Sequence, residues 1–161
     1  MSKTFEVRGV KYPLSELKKW IDALRSGQYQ QDTCRLQSDK GFCCLGVACK
    51  ALIRKNNLDF DTYIDEKGRH HAVIMGAMPI QQPSAPKWLT QIEGDFSDKT
   101  GVNLTRLNDQ WNLRDKTFEY VADLLETVYI HEIYDTIQAS YWGNDPEGDL
   151  IVIRANLGVK P

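Results

Sequence analysis

The chain has 161 residues, a length that suits one domain with a core of its own. Apolar residues make up 42% and charged residues 26%, which excludes a disordered chain, and no apolar run approaches the ~20 residues of a membrane span. The net charge of −2 argues against an extended nucleic-acid-binding face and leaves room only for a local basic pocket.

In chain order, TFEVRGVKY alternates loosely and predicts a strand or short hairpin. PLSELKKWIDALRSG predicts the first helix: Leu14, Leu17, Ile21 and Leu24 form one stripe, Pro13 suits its start and Gly27 its stop. QYQQDTCRLQSDKG reads as an exposed connection with a short strand around Cys34 to Leu36. A second helix is expected from about Phe42 to Lys55, apolar nearly all round at its start and therefore buried there. TYI and HAVIM flank a polar turn at Glu66, Lys67 and Gly68 and predict a hairpin. MPIQQPSAP is a proline-punctuated loop, APKWLTQIEG a short helix, and DKTGVNLTRLNDQWN a loop with one helical turn. DKTFEYVADLLETVYI is the strongest helix, with Phe118, Val121, Ala122, Leu125, Val128 and Tyr129 on one stripe and Asp115 or Thr117 as its cap. A short helix IHEIYDTIQ, turn signals GNDPEGD and a strand DLIVIRANLG complete the chain. The expected fold is a single compact α+β domain of about four helices with one or two small antiparallel hairpins. Its core spans 1–126, and an extension over 127–161, helix then strand, packs on or beside it.

The cysteines admit three chemistries. As a metal site, Cys34, Cys43, Cys44 and Cys49 contain no CxxC pair, and adjacent Cys43 and Cys44 would point about 100° apart on a helix, so no metal is expected. As nucleophiles, Cys43 and Cys44 follow a glycine at a helix start, where the dipole lowers a thiol pKa, and His70 or His71 on the next hairpin would be the base. As packing, free cysteine is a small hydrophobe among the most buried residue types. Packing is preferred, because Cys43, Cys44, Gly46, Ala48 and Ala51 together let a neighbouring backbone approach closely.

WIDALRSGQYQQDTCRLQSDKGFCCLGVACKAL resembles a widespread family of small, mostly uncharacterised phage and prophage proteins. Their shared pattern is a helix ending in ALRSGxYxQ, a variable link, and FCCLGV. MPIQQPSAPKWL, LTRLNDQWN and TFEYVADLLE continue the likeness, which runs from Trp20 to Glu126. Two features depart from it: the extension 127–161, since the family usually stops soon after the last of these helices, and the pair His70-His71. The resemblance implies a phage-encoded accessory protein of the host-cell cytoplasm, and MSKTFEVRGVKYPL, which lacks the apolar core of a signal peptide, fits that expectation. Many small phage proteins interfere with host defence, some by sequestering nucleotide messengers, and that analogy supplies the functional expectation.

Polar residues of these motifs form the candidate ligand site. Arg25 would grip a phosphate, Tyr29 would stack on a base, and Ser26, Gly27 and Gln30 surround them. Arg35 adds positive charge, Asn108 and Asp109 would read a ribose or base edge, and the start of the cysteine helix offers N–H groups to an anion. Each also has a structural reading: Arg25 complements a helix dipole, Ser26 and Gly27 end a helix, Asn108 and Asp109 cap a turn, and Tyr29 packs in the core. The leading expectation is a homo-oligomeric module that sequesters a small phosphorylated ligand, with no cofactor, no extended nucleic acid and no membrane. An inhibitor of a host protein, using Tyr134, Tyr141 and Trp142 of the extension, ranks second, and a cysteine hydrolase third.

Overall fold

The first chain reversal is set by two successive residues in the left-handed region, Arg8 at φ 52° and Gly9 at φ 77°. Two such residues match the right-handed twist of the strands they join. They connect β1 (Thr4–Val7) to β2 (Val10–Pro13) with Phe5 opposite Tyr12 and Val7 opposite Val10. The structure is a computed structural model and describes residues 2–32, 36–37, 40–53, 62–64, 66–68, 70–72, 85–101, 103–109 and 117–134.

Helix α1 (Leu14–Arg25) begins at Pro13 and buries Leu14, Leu17, Trp20, Ile21 and Leu24, the stripe its spacing predicts. Helix α2 (Cys44–Leu52) is shorter than the expected Phe42 to Lys55. Cys43 is its extended N-cap, and Ile53 returns to extended backbone at ψ 117°. The hairpin of β3 (Thr62–Ile64) and β4 (His70–Ala72) pairs Tyr63 with His71.

A 3₁₀ turn over Lys87–Thr90 leads into α3 (Ile92–Thr100), which runs well into what the sequence reads as loop and stops at Gly101, φ 75°. Its buried face is Ile92, Asp95, Phe96 and Thr100, half of it polar, so an apolar stripe does not announce it. Helix α4 (Leu104–Asp109) realises the single expected turn. Glu93 of α3 accepts from the Thr105 backbone N–H at 3.4 Å and its hydroxyl at 3.1 Å, tying the two helices together. Helix α5 (Phe118–Tyr129) is capped by Thr117, whose Oγ1 accepts from the Tyr120 N–H at 3.4 Å. It buries all six residues of the predicted stripe and crosses residue 127, where the extension was expected to begin. The expected helix IHEIYDTIQ does not start where the sequence places it. Ile133 N–H bonds back to Thr127 O at 3.0 Å, Glu132 has φ 56°, and half-buried Tyr134 packs on the core. Residues 135–161, with Tyr141 and Trp142, lie outside the described residues.

The core is one cluster in which α1 packs on both α2 and α5. Its aromatic centre is Phe5, Trp20 and Trp88. Phe5 meets Trp88 edge to face at 5.1 Å, and Trp20 lies 6.1 Å from Trp88. Both indoles are satisfied: Trp20 donates to Cys44 O at 2.9 Å and Trp88 to Glu16 Oε2 at 2.6 Å. The architecture is thus a small α+β fold, five α-helices with short antiparallel hairpins among the described residues.

One buried carboxylate ties the hairpin to the helices. Asp95, 6% exposed, accepts from the Arg8 backbone N–H on Oδ1 at 2.9 Å. Its Oδ2 accepts from Lys99 Nζ and from the Tyr129 hydroxyl, each at 2.9 Å. Arg8 also forms an ion pair with Asp98, and Lys99 sits 5.0 Å above the Tyr129 ring. Burial raises the carboxyl pKa, but the Lys99, Arg8 and Tyr129 hydrogen bonds outweigh it and hold Asp95 below the usual carboxylate range. Burial, and then the Asp95 charge, push the Tyr129 phenol up. Because the folded Asp95 pKa is depressed, its contribution to stability is present above the unfolded value of about 3.9 and is lost as pH falls through the folded value. Asp95→Asn should cost about 2–3 kcal/mol at pH 7. It should also flatten the acid limb of the stability profile below about pH 4, read by urea unfolding across pH.

Candidate functional site

The motif-bearing segments meet at a joint where α1 ends and α2 begins. Ser26 closes α1: its Oγ donates to Ala23 O at 2.7 Å and accepts from the Gln28 N–H at 3.2 Å. Gly27 follows at φ 73°, a conformation glycine adopts without penalty. The chain then runs beside the start of α2. Phe42 N–H donates to Gln30 O at 2.8 Å, and Asp32 N–H donates to Phe42 O at 2.7 Å. Tyr29 meets Phe42 edge to face at 5.4 Å, both rings half-buried. The approach is close enough to require glycine twice. A Cβ on Gly41 would lie 2.2 Å from Gln30 O, and one on Gly46 would lie 1.7 Å from Leu36 O.

Asn108 fastens this joint. Its Oδ1 accepts from Gln31 Nε2 at 3.1 Å and from the Cys44 backbone N–H at 3.2 Å, and its Nδ2 donates to Asp32 O at 2.8 Å. At 3% exposure it acts as a clasp between α4, the connection after α1, and the first residue of α2. The start of α2, expected to offer its N–H groups to an anion, has internal acceptors for three of them. The Cys44 N–H is spent on Asn108, the Gly46 N–H on Cys43 Sγ at 3.4 Å, and the Val47 N–H on Cys43 O at 3.0 Å, all within the core.

Of the other candidates, Arg25 points away from the joint. Its Nη2 donates to Asp123 Oδ1 at 2.7 Å and to Glu126 Oε2 at 2.6 Å, bridging α1 to α5. Burial opposes the charge, but the hydrogen bonds to Glu126 and Asp123 prevail and raise its pKa. One cation set between two carboxylates is a poor phosphate grip. Gln30 is exposed and Tyr29 half-buried beside it. Asp109 ends α4 on the backbone, and Arg35 lies outside the described residues. The structure therefore brings Tyr29, Gln30 and Asn108 to one joint and sends Arg25 to another contact. Phe42, Gln31 and Asp32 belong to the joint and escape the sequence reading, because their roles arise only once the two segments lie side by side.

The thiols are sealed. Cys43, Cys44 and Cys49 are thiols, each 0% exposed. Cys43 Sγ is the N-cap acceptor of α2, and Cys44 Sγ donates to Leu104 O at 3.8 Å. Burial pushes the Cys49 thiol up to about 12. A nucleophilic Cys43 or Cys44 needs an exposed thiolate, and this placement gives neither thiol solvent contact. His70 and His71 lie on β4, and their side chains are outside the described residues, as is Cys34. No group of three or more His, Cys, Asp or Glu is gathered for a metal among the described residues. No helix among them is long and apolar enough to cross a membrane.

Residues 15–129 match the model of a protein family described as Domain of unknown function (DUF8296), a span that runs from α1 to the end of α5. The chain belongs to that family. No curated protein and no solved structure matches it.

Asn108→Ala should cost about 2–3 kcal/mol, because it leaves the buried Cys44 N–H without its acceptor and frees Asp32 O. Amide hydrogen exchange should quicken at residues 28–32 before it does in α5. In a Cys34→Ser background, an aromatic disulfide reagent at neutral pH should leave Cys43, Cys44 and Cys49 unmodified until denaturant is added. Rapid labelling of the native protein would restore the nucleophile reading.

Proposed function

We propose that this member of the DUF8296 family is a binding module that works without thiol chemistry, taking up a small nucleotide-type ligand at the exposed edge of the joint between α1 and α2. The observation that carries the reading is the pair of backbone bonds from Phe42 to Gln30 and Asp32. They fix the Gln28–Gln30 stretch, with both glutamines exposed, beside Gly41 and Phe42, next to a half-buried aromatic pair. An aromatic surface with a few fixed polar groups is the composition that small-ligand sites use. The buried thiols weigh against a cysteine hydrolase.

The resemblance to phage and prophage proteins supports a wider setting for the same reading. There the protein is a phage-encoded accessory factor in the host cytoplasm, sequestering a phosphorylated messenger as a homo-oligomer. A host-protein inhibitor is the weaker alternative for the described surface. Val10, at 48%, is its exposed large apolar side chain, and one valine offers a protein partner little anchoring area.

Thermal-shift and calorimetric titration of the full chain against mononucleotides and cyclic dinucleotides tests the proposal. A bound ligand should raise Tm with concentration by mass action. A well-folded protein whose Tm none of these compounds moves would remove the reading.

A further inference from the structure

We infer that Tyr29 and Phe42 form a stacking ledge for a planar heteroaromatic ring, and that the site recognises the base of its ligand and not its phosphate. The inference rests on the binding reading above and names the ligand chemistry of that same edge.

Three observations converge on it. The two rings meet edge to face at 5.4 Å and are each partly exposed, an arrangement that leaves ring surface for a third aromatic group. The ledge is rigid: Phe42 is held through both its N–H and its C=O, and Gly41 brings the backbone of Gln30 against it. A rigid aromatic surface is organised before the ligand arrives, so stacking costs little ordering. The exposed amides of Gln28 and Gln30 stand next to the ledge in sequence and present both donors and acceptors, the pairing chemistry of a base edge.

The electrostatics point the same way. The motif cation, Arg25, is held by Asp123 and Glu126, two carboxylates against one guanidinium. At the start of α2, the Cys44 N–H is spent on Asn108 and the Gly46 N–H on Cys43. The phosphate grips expected in the motif thus already have partners within the chain. A nucleoside should bind about as well as its phosphorylated form, and raising the salt concentration should weaken binding little.

The test titrates the full chain calorimetrically with the four ribonucleosides, their 5′-monophosphates and inorganic phosphate, and repeats the series on Tyr29→Phe and Tyr29→Leu. The leucine variant keeps an apolar contact with Phe42 but removes the stacking face. The Tm of each variant reports separately on folding. At least one nucleoside should bind within about threefold of its monophosphate, and inorganic phosphate should give no heat. Tyr29→Phe should retain that affinity, and Tyr29→Leu should lose roughly tenfold or more while still unfolding in one cooperative transition above the titration temperature. Nucleotide binding that Tyr29→Leu leaves intact, or monophosphates bound over tenfold tighter than nucleosides, would overturn the ledge and leave the binding module standing. Absence of binding by every compound, cyclic dinucleotides included, would remove both.

Discussion

The start of α2 is the constraint on which the rest of this fold depends. Its first turn lies inside the core with no bulky side chain between it and the neighbouring chain. The carbonyl of Leu36 rests where a Cβ on Gly46 would sit. Such an approach buries backbone polar groups, and each must be satisfied from within. Asn108 supplies the acceptor for Cys44, Cys43 sulfur the acceptor for Gly46, and the Trp20 indole a donor to Cys44 O. Small side chains and internal hydrogen bonding are therefore one requirement, and FCCLGV is the sequence that meets it. The sulfur atoms fill space there and, at Cys43, take the place of a serine or threonine oxygen as helix cap.

How much of this the sequence revealed depends on which physical term built each element. Helices α1 and α5 were legible because an apolar stripe at helical spacing dominates both, and the buried residues are those the stripe selects. The first hairpin was legible because Arg8-Gly9 interrupts an alternating run. Helix α3 was legible only at its start, inside APKWLTQIEG, since Asp95 and Thr100 on its buried face break the apolar pattern. Thr100 bonds locally to the Phe96 carbonyl, but Asp95 draws on partners far along the chain, the Arg8 N–H and the Tyr129 hydroxyl. No local pattern carries that information.

The candidate site shows the same division. Tyr29, Gln30 and Asn108 were read as neighbours because they belong to recurring motifs, and they do meet at one joint. Arg25 carries the same composition signal as a phosphate-binding arginine, but its partners lie on α5, about a hundred residues downstream. A polar side chain that packing does not require is equally suited to gripping another part of its own chain or a ligand. Only the fold distinguishes the two, and for Arg25 and Asn108 it supplies internal partners. Phe42 was passed over for the opposite reason. Beside two cysteines it looked like one more core residue, whereas it is half-buried at an edge, against Tyr29.

The Asp95 carboxylate has a consequence for the order in which the molecule assembles. The reversal at Arg8 puts a residue with a Cβ into the left-handed region, and the group that accepts from its N–H lies 87 positions away in the chain. Closing so large a loop is entropically slow compared with forming either helix. On a ribosome, the amino-terminal ribbon must therefore wait for most of the polypeptide to emerge before its corner is pinned.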